Sequence, residues 1–275
     1  MQRRFAPLTA LLVMLAACGG GSEEAAKSGA EKSSGEAGGE VMVFAAASLR
    51  EAMEELGAGF EKETGVEIVF NFAGSNDLAH QIAATRGPDI FLSASKAWMD
   101  TVQSGGRVLP GSRRDLLSNT LVVVASARDT STVAEPCALA TMPFRNLAMG
   151  DPEAVPAGTY ARAWLRSVQC GGRPLWDAVQ ARVAPAPDVR AALGLVLADP
   201  RVIGIVYKTD QMAFADRTRV LYEVRDGPAI RTVIARLTEG RGGENGARFY
   251  EHLVGATGAE VFRKHGFDPL PAAAP

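Results

Sequence analysis

Histidine is scarce in this chain. Its 275 residues include only three, His80, His252 and His265, and none stands at metal-ligand spacing from another. A histidine-rich metal site is therefore not expected. Cysteine is equally scarce, at three: Cys18, Cys137 and Cys170. Charge of one sign is also missing. The formal net charge is −2, so no global basic field points to nucleic acid. Beyond the N-terminal leader no apolar run is long enough to span a bilayer. No G-x-S-x-G occurs, and the histidines lie outside the junction motifs described below, so a serine nucleophile has no evident base. No internal repeat is visible. What is present is ordinary for a globular protein with a real core: 47% hydrophobic and 22% charged residues. The length allows one large domain or two small ones.

Residues 1–18 read as a lipoprotein signal peptide. Arg3 and Arg4 give a positive start, and residues 5–17 are apolar but too short to cross a membrane. Leu15-Ala16-Ala17-Cys18 then resembles the bacterial lipoprotein cleavage box. That resemblance implies a lipid on Cys18 and a protein held outside the cytoplasm, on a membrane, by its anchor alone. Residues 19–40 contain only Gly, Ser, Ala, Glu and Lys. Such a stretch cannot bury enough apolar surface to offset its ordering entropy, so a disordered tether is expected. As a Gly-rich coil it would reach roughly 25 Å. Cys137 and Cys170 remain as an even pair in an oxidising compartment, where they can close a disulfide or stay as buried thiols.

From Val41 onward, strand and helix patterns alternate. Strands are expected at 41–46, 66–72 and 89–94, with helices at 49–64, 76–85 and 95–103. After the polar stretch 110–119, Leu121-Val122-Val123-Val124 reads as a fully apolar strand. A second series follows, with strands near 147–149, 181–183, 202–207 and 220–224 and helices at 158–168 and 188–198. The tail 243–266 supplies two more helices. Repeated βα units argue for an α/β protein with mixed, mostly parallel sheets covered by helices. Two lobes of about 100 residues fit the length, and the cleft between them is the default ligand site.

Four junctions combine small and helix-capping residues: "AAASL" at 45–49, "FAGSND" at 72–77, "GDPEAVPAG" at 150–158 and "PAPDVRAAL" at 185–193. Helix N-termini expose unpaired N–H groups with partial positive charge, and so bind anions without Lys or Arg. In open α/β sheets such junctions lie at the carboxyl ends of strands, where ligands sit. Ser and Asp at these places are also ordinary N-caps.

These motifs, together with "EKETGV", "GPDIFLSASKAWMD", "NTLVVVA", "GIVYKTD" and "VFRKHGF", occur in an order that resembles the substrate-binding proteins of bacterial molybdate ABC transporters, across residues 41–267. The resemblance implies a two-lobe periplasmic-binding-protein fold of type II, closing on a tetrahedral oxyanion. It implies ligand contacts from the hydroxyl and amide of Ser48 and of Ser75, the amides of Ala157 and Val189, and the phenol of Tyr207. Residues 41–119 plus 226–275 are expected to build one lobe and 120–225 the other, with 121–124 as a crossing strand and a second crossing near 226–230.

The implied ligand is molybdate, with tungstate not distinguished from it. Molybdenum enters only within that oxyanion, and no cofactor is expected. An ABC transporter permease is the implied partner, and the binding protein itself is expected to be a non-enzymatic monomer. The proposed groups are all donors, which suits a fully deprotonated dianion. Sulfate or phosphate is the alternative ligand, and a lipid-anchored serine hydrolase the alternative activity. The disulfide Cys137–Cys170 is expected in the second lobe.

Overall fold

The computed structural model describes residues 39–271. The expected signal peptide, Cys18 and nearly all of the expected tether lie outside the described residues. Glu40, placed in the tether on composition, is instead the first residue of β1, where it pairs with Glu67.

The first half alternates as its apolar periodicity dictates. It contains β1 (Glu40–Ala46), α1 (Arg50–Thr64), β2 (Glu67–Ala73), α2 (Ser75–Ala84), β3 (Ile90–Ser93), α3 (Lys96–Ser104) and β4 (Arg114–Asn119). Ala52, Met53, Leu56 and Phe60 recur on one face of α1 and are buried. The chain continues through β5 (Leu121–Ser126), β6 (Asn146–Gly150), α4 (Pro156–Ser167) and a small hairpin of β7 (Gln169–Cys170) and β8 (Arg173–Pro174). Next come α5 (Leu175–Val179), β9 (Val183–Ala186), α6 (Val189–Ala198), β10 (Val202–Tyr207), α7 (Lys208–Ala213) and β11 (Thr218–Glu223). The last elements are β12 (Ile230–Arg236), α8 (Gly243–Val254), α9 (Ala256–Lys264) and β13 (Asp268–Pro269). No helix among the described residues is long and apolar enough to cross a membrane.

Two main sheets result. One has the strand order β13-β4-β12-β3-β1-β2 and the other β11-β5-β10-β6-β9. In the second, β5 lies between the edge strand β11 and the central β10, with Leu121 to Ala125 all essentially inaccessible. The chain passes between the sheets twice, at Thr120 between β4 and β5 and again between β11 and β12. The segment 121–124 is thus not itself a crossing strand, because β5 belongs wholly to the second sheet.

The sheets are mixed, with fewer parallel pairs than the βα repeats alone imply. β1 runs parallel to β2 and β3, and β6 parallel to β9 and β10. The antiparallel pairs gather around the crossings: β12 against β3 and β4, and β5 against β10 and β11. A strand arriving from the other lobe has no preceding helix on its own sheet, so it enters against the local direction. Two of these strands were hidden in the sequence. β4 buries only Leu116 and Leu117 well, so it reads as polar. β12 follows a loop that reads as linker.

Cys137 and Cys170 form a disulfide with a Cα–Cα distance of 5.6 Å. It ties the loop after β5 to the hairpin after α4, within the lobe built on the second sheet.

Candidate functional site

The register of the parallel strands brings the four junctions together. Ala46 of β1 sits beside Ala73 of β2, so the turns carrying Ser48 and Ser75 emerge side by side. Gly150 of β6 sits beside Ala186 of β9, which aligns the starts of α4 and α6 in the other lobe. Tyr207 ends β10, opposite Leu121 of β5. Ser48, Ser75, Ala157, Val189 and Tyr207 all line one small cavity between the lobes. Much of the remaining wall is Ala46, Ala47, Ala73, Gly74 and Ala94. Small side chains here leave the backbone and hydroxyl groups bare. No Lys, Arg or His is among the described residues that line it.

Each wall has a local cause. Ser48 is buried in the turn Ala47–Leu49 that leads into α1. Ser75 opens α2 and is 1% exposed. Its Oγ accepts the amide of Ala94 at 3.0 Å, which leaves its own O–H to donate elsewhere. Gly74, before it, touches the facing lobe: a Cβ there would lie 2.7 Å from the carbonyl oxygen of Pro187. Gly158 permits an equally close approach within one lobe, since its Cβ would meet the Gly150 carbonyl oxygen at 2.0 Å. That contact seats the first turn of α4, with Pro156 and Ala157, over the end of β6. At α6 the Asp188 carboxylate accepts the amides of Arg190 and Ala191, both at 2.8 Å. This N-cap serves the second and third residues of the helix and not the first, Val189. Asp188 also lines the cavity, a wall residue the sequence motif did not single out.

Tyr207 is 2% exposed. Its phenolic oxygen is buried and has no hydrogen-bond partner among the described residues. Burial pushes the phenol well above its ordinary pKa, and Tyr160 and Asp210 push it in the same direction. It therefore stays protonated, a neutral donor. A buried unpaired hydroxyl costs free energy unless something accepts from it. The donor set as a whole fits a compact ion that only accepts.

Several residues that hold the two lobes together were not legible as motifs. The Arg190 guanidinium reaches Glu51 on α1 at 2.8 Å and Asp210 on α7 at 2.6 Å. Burial pushes Asp210 up to about 6, against the lowering effects of Arg190 and the Tyr207 amide. The Trp98 indole on α3 donates to the carbonyl of Ala154 at 2.8 Å, again across the cleft. Near the crossings the Asn119 amide donates to the Thr209 hydroxyl at 2.9 Å. No group of His, Cys, Asp and Glu able to hold a metal ion occurs among the described residues.

Two α/β lobes joined by two crossings, closed over a donor-lined cavity at the carboxyl ends of strands, define a solute-binding protein of the periplasmic type. The chain belongs to the bacterial extracellular solute-binding proteins, whose family model matches residues 41–268. Among curated relatives, the molybdate-binding protein ModA of Escherichia coli (strain K12) is 36% identical over 233 residues, covering 83% of this chain and 89% of that protein. The molybdate-binding protein ModA of Haemophilus influenzae is 31% identical over 235 residues, covering 84% and 91%. Among solved structures, the periplasmic molybdate-binding protein of Azotobacter vinelandii superposes with a TM-score of 0.72 at 21% identity, covering 84% of this chain and 99% of that one. At that identity the likeness speaks for the fold.

Proposed function

We propose that this protein captures molybdate, and tungstate with it, in the cavity between its lobes and delivers it to the permease of an ABC transporter. The observation that carries this reading is Tyr207. Its buried, unpartnered hydroxyl faces a cavity lined from both lobes by serines and helix starts, with Asp188 as its one carboxylate and no cationic side chain. Two relatives whose names state molybdate binding, matched over most of both chains, support the choice of ion.

Charge alone does not separate molybdate from sulfate, which is also a fully ionised tetrahedral dianion. Size does: longer metal–oxygen bonds fill a larger cavity, and a smaller ion leaves some donors unpaired, at about 1–3 kcal/mol each. Phosphate carries a proton near neutral pH and needs an acceptor for it. The one carboxylate in the wall, Asp188, accepts two amides of its own helix through Oδ1.

Before reaching the cavity the ion meets a protein held outside the cytoplasm. In this reading Cys18 carries the lipid, residues 19–40 form the tether, and the protein acts as a monomer without catalytic chemistry. Calorimetric titration of the purified protein with molybdate, tungstate, sulfate and phosphate tests the ligand. One equivalent of molybdate or tungstate should bind, and sulfate and phosphate should bind far more weakly. Equal affinity for sulfate, or no heat with molybdate, would overturn the reading.

A further inference from the structure

We infer that Glu51 and Arg190 form an interlobe clasp that holds the closed, liganded state, so that Glu51 is a positioning residue that sets the rate of ligand release. The inference rests on the reading under which this cavity takes molybdate.

The geometry has two halves. Arg190 and Asp210 both belong to the lobe built on the second sheet, on α6 and α7. Their pair, at 2.6 Å, is internal to that lobe and survives when the lobes part. Glu51 belongs to α1 of the other lobe. Its two carboxylate oxygens meet the two terminal nitrogens of Arg190 at 2.8 and 2.5 Å. That two-point fork is the strongest geometry available to an ion pair, and it exists only when the cleft is shut. Opening therefore breaks the Glu51 half and leaves Arg190 with a partner, so no charge is stranded in the open state.

The same guanidinium sits at the centre of the site's framework. Arg190 follows Val189, and its amide is held by the Asp188 cap. Asp210 accepts the Tyr207 amide at 3.2 Å. Glu51 lies one helical turn beyond Ser48. Closing the fork draws the turn bearing Ser48 toward the helix start and strand end bearing Val189 and Tyr207. None of the three charged groups needs to touch the ligand. Glu51 and Arg190 remain partly accessible, at 34% and 15% of their side chains, so either can be exchanged without carving a hole in the core.

Stopped-flow measurement of molybdate binding and release tests the clasp in full-length protein. Glu51→Gln keeps one acceptor for Arg190 and removes the charge. Its dissociation rate should rise about tenfold or more, while the association rate changes by less than about threefold. Stoichiometry should stay at one, and the melting temperature without ligand should match the parent. Arg190→Lys keeps the charge but loses the fork, and should also speed release. Glu54→Gln on the same helix removes the same charge from an exposed pair with Arg50 and should leave release unchanged. A Glu51→Gln protein that releases molybdate at the parental rate would overturn the clasp alone. A parent that binds no molybdate would overturn the functional reading with it.

Discussion

Tyr207 concentrates the chemistry of the site in one atom. Its hydroxyl is buried, protonated and without a partner, so an accepting ion gains a hydrogen bond that the free protein lacks. Tyr207→Phe should weaken molybdate binding by about 1.5–3 kcal/mol, or roughly 10- to 150-fold in Kd, with little change in melting temperature. Ser48→Ala should behave similarly, because its backbone amide survives. Ser75→Ala should lower stability as well, since Ser75 Oγ also satisfies the Ala94 amide. Calorimetry paired with a melting curve separates these effects. Asp210 yields a pH dependence of definite sign. Its folded pKa, about 6, is raised by burial, so the folded state takes up its proton more readily than the unfolded chain. Its contribution to stability is full below the ordinary carboxylate value and is lost as pH rises through about 6. Asp210→Asn should flatten the fall in melting temperature between pH 4 and pH 7. The junction serines stand out in the sequence because strand-to-helix junctions carry a local signature, whereas Tyr207 is singled out only by the family resemblance. Glu51, Arg190 and Trp98 do not stand out, because their partners belong to the other lobe and nothing nearby in the chain announces them.

Among the elements, the start of α4 depends on one missing methyl. A Cβ at Gly158 would penetrate the Gly150 carbonyl, so Gly158→Ala must lift the helix off the end of β6. Ala157 would then leave the cavity wall. The expected outcome is a loss of at least ~2 kcal/mol in stability, read by urea unfolding, together with loss of molybdate binding. The disulfide acts differently. Cys137 and Cys170 lie 33 residues apart in sequence, and closing such a loop contributes at most about 4 kcal/mol in the chain-entropy picture. Replacing both by Ala should lower the melting temperature and leave the molybdate Kd unchanged, because neither residue lines the cavity. The helices and central strands were legible because their apolar periods are strong. β4 and β12 were not: they flank the crossings, show no clean period-two alternation of buried and exposed residues, and owe their strand state to partners distant in sequence.

At the level of the whole molecule, two crossings leave the lobes free to hinge, and the contacts that hold them shut away from the crossings include the Glu51–Arg190 fork, the Trp98–Ala154 hydrogen bond and the backbone approach at Gly74 and Pro187. Each is modest, so the ligand that joins both walls decides the balance. Trp98 should report the change, since its indole donates across the cleft. Molybdate should shift the intrinsic fluorescence of the parent, and Trp98→Phe should remove most of that shift while binding persists by calorimetry.

The central claim is that Ser48 and Ser75 from one lobe, and Ala157, Val189 and Tyr207 from the other, converge on a single oxyanion. Anomalous diffraction at the molybdenum absorption edge, from crystals grown with one equivalent of molybdate, tests it directly. One strong peak is expected between the lobes, with oxygens in hydrogen-bonding reach of the Ser48 and Ser75 hydroxyls, the Ala157 and Val189 amides and the Tyr207 Oη. A fully occupied peak elsewhere, or one that leaves Tyr207 Oη without an oxygen partner, would contradict it.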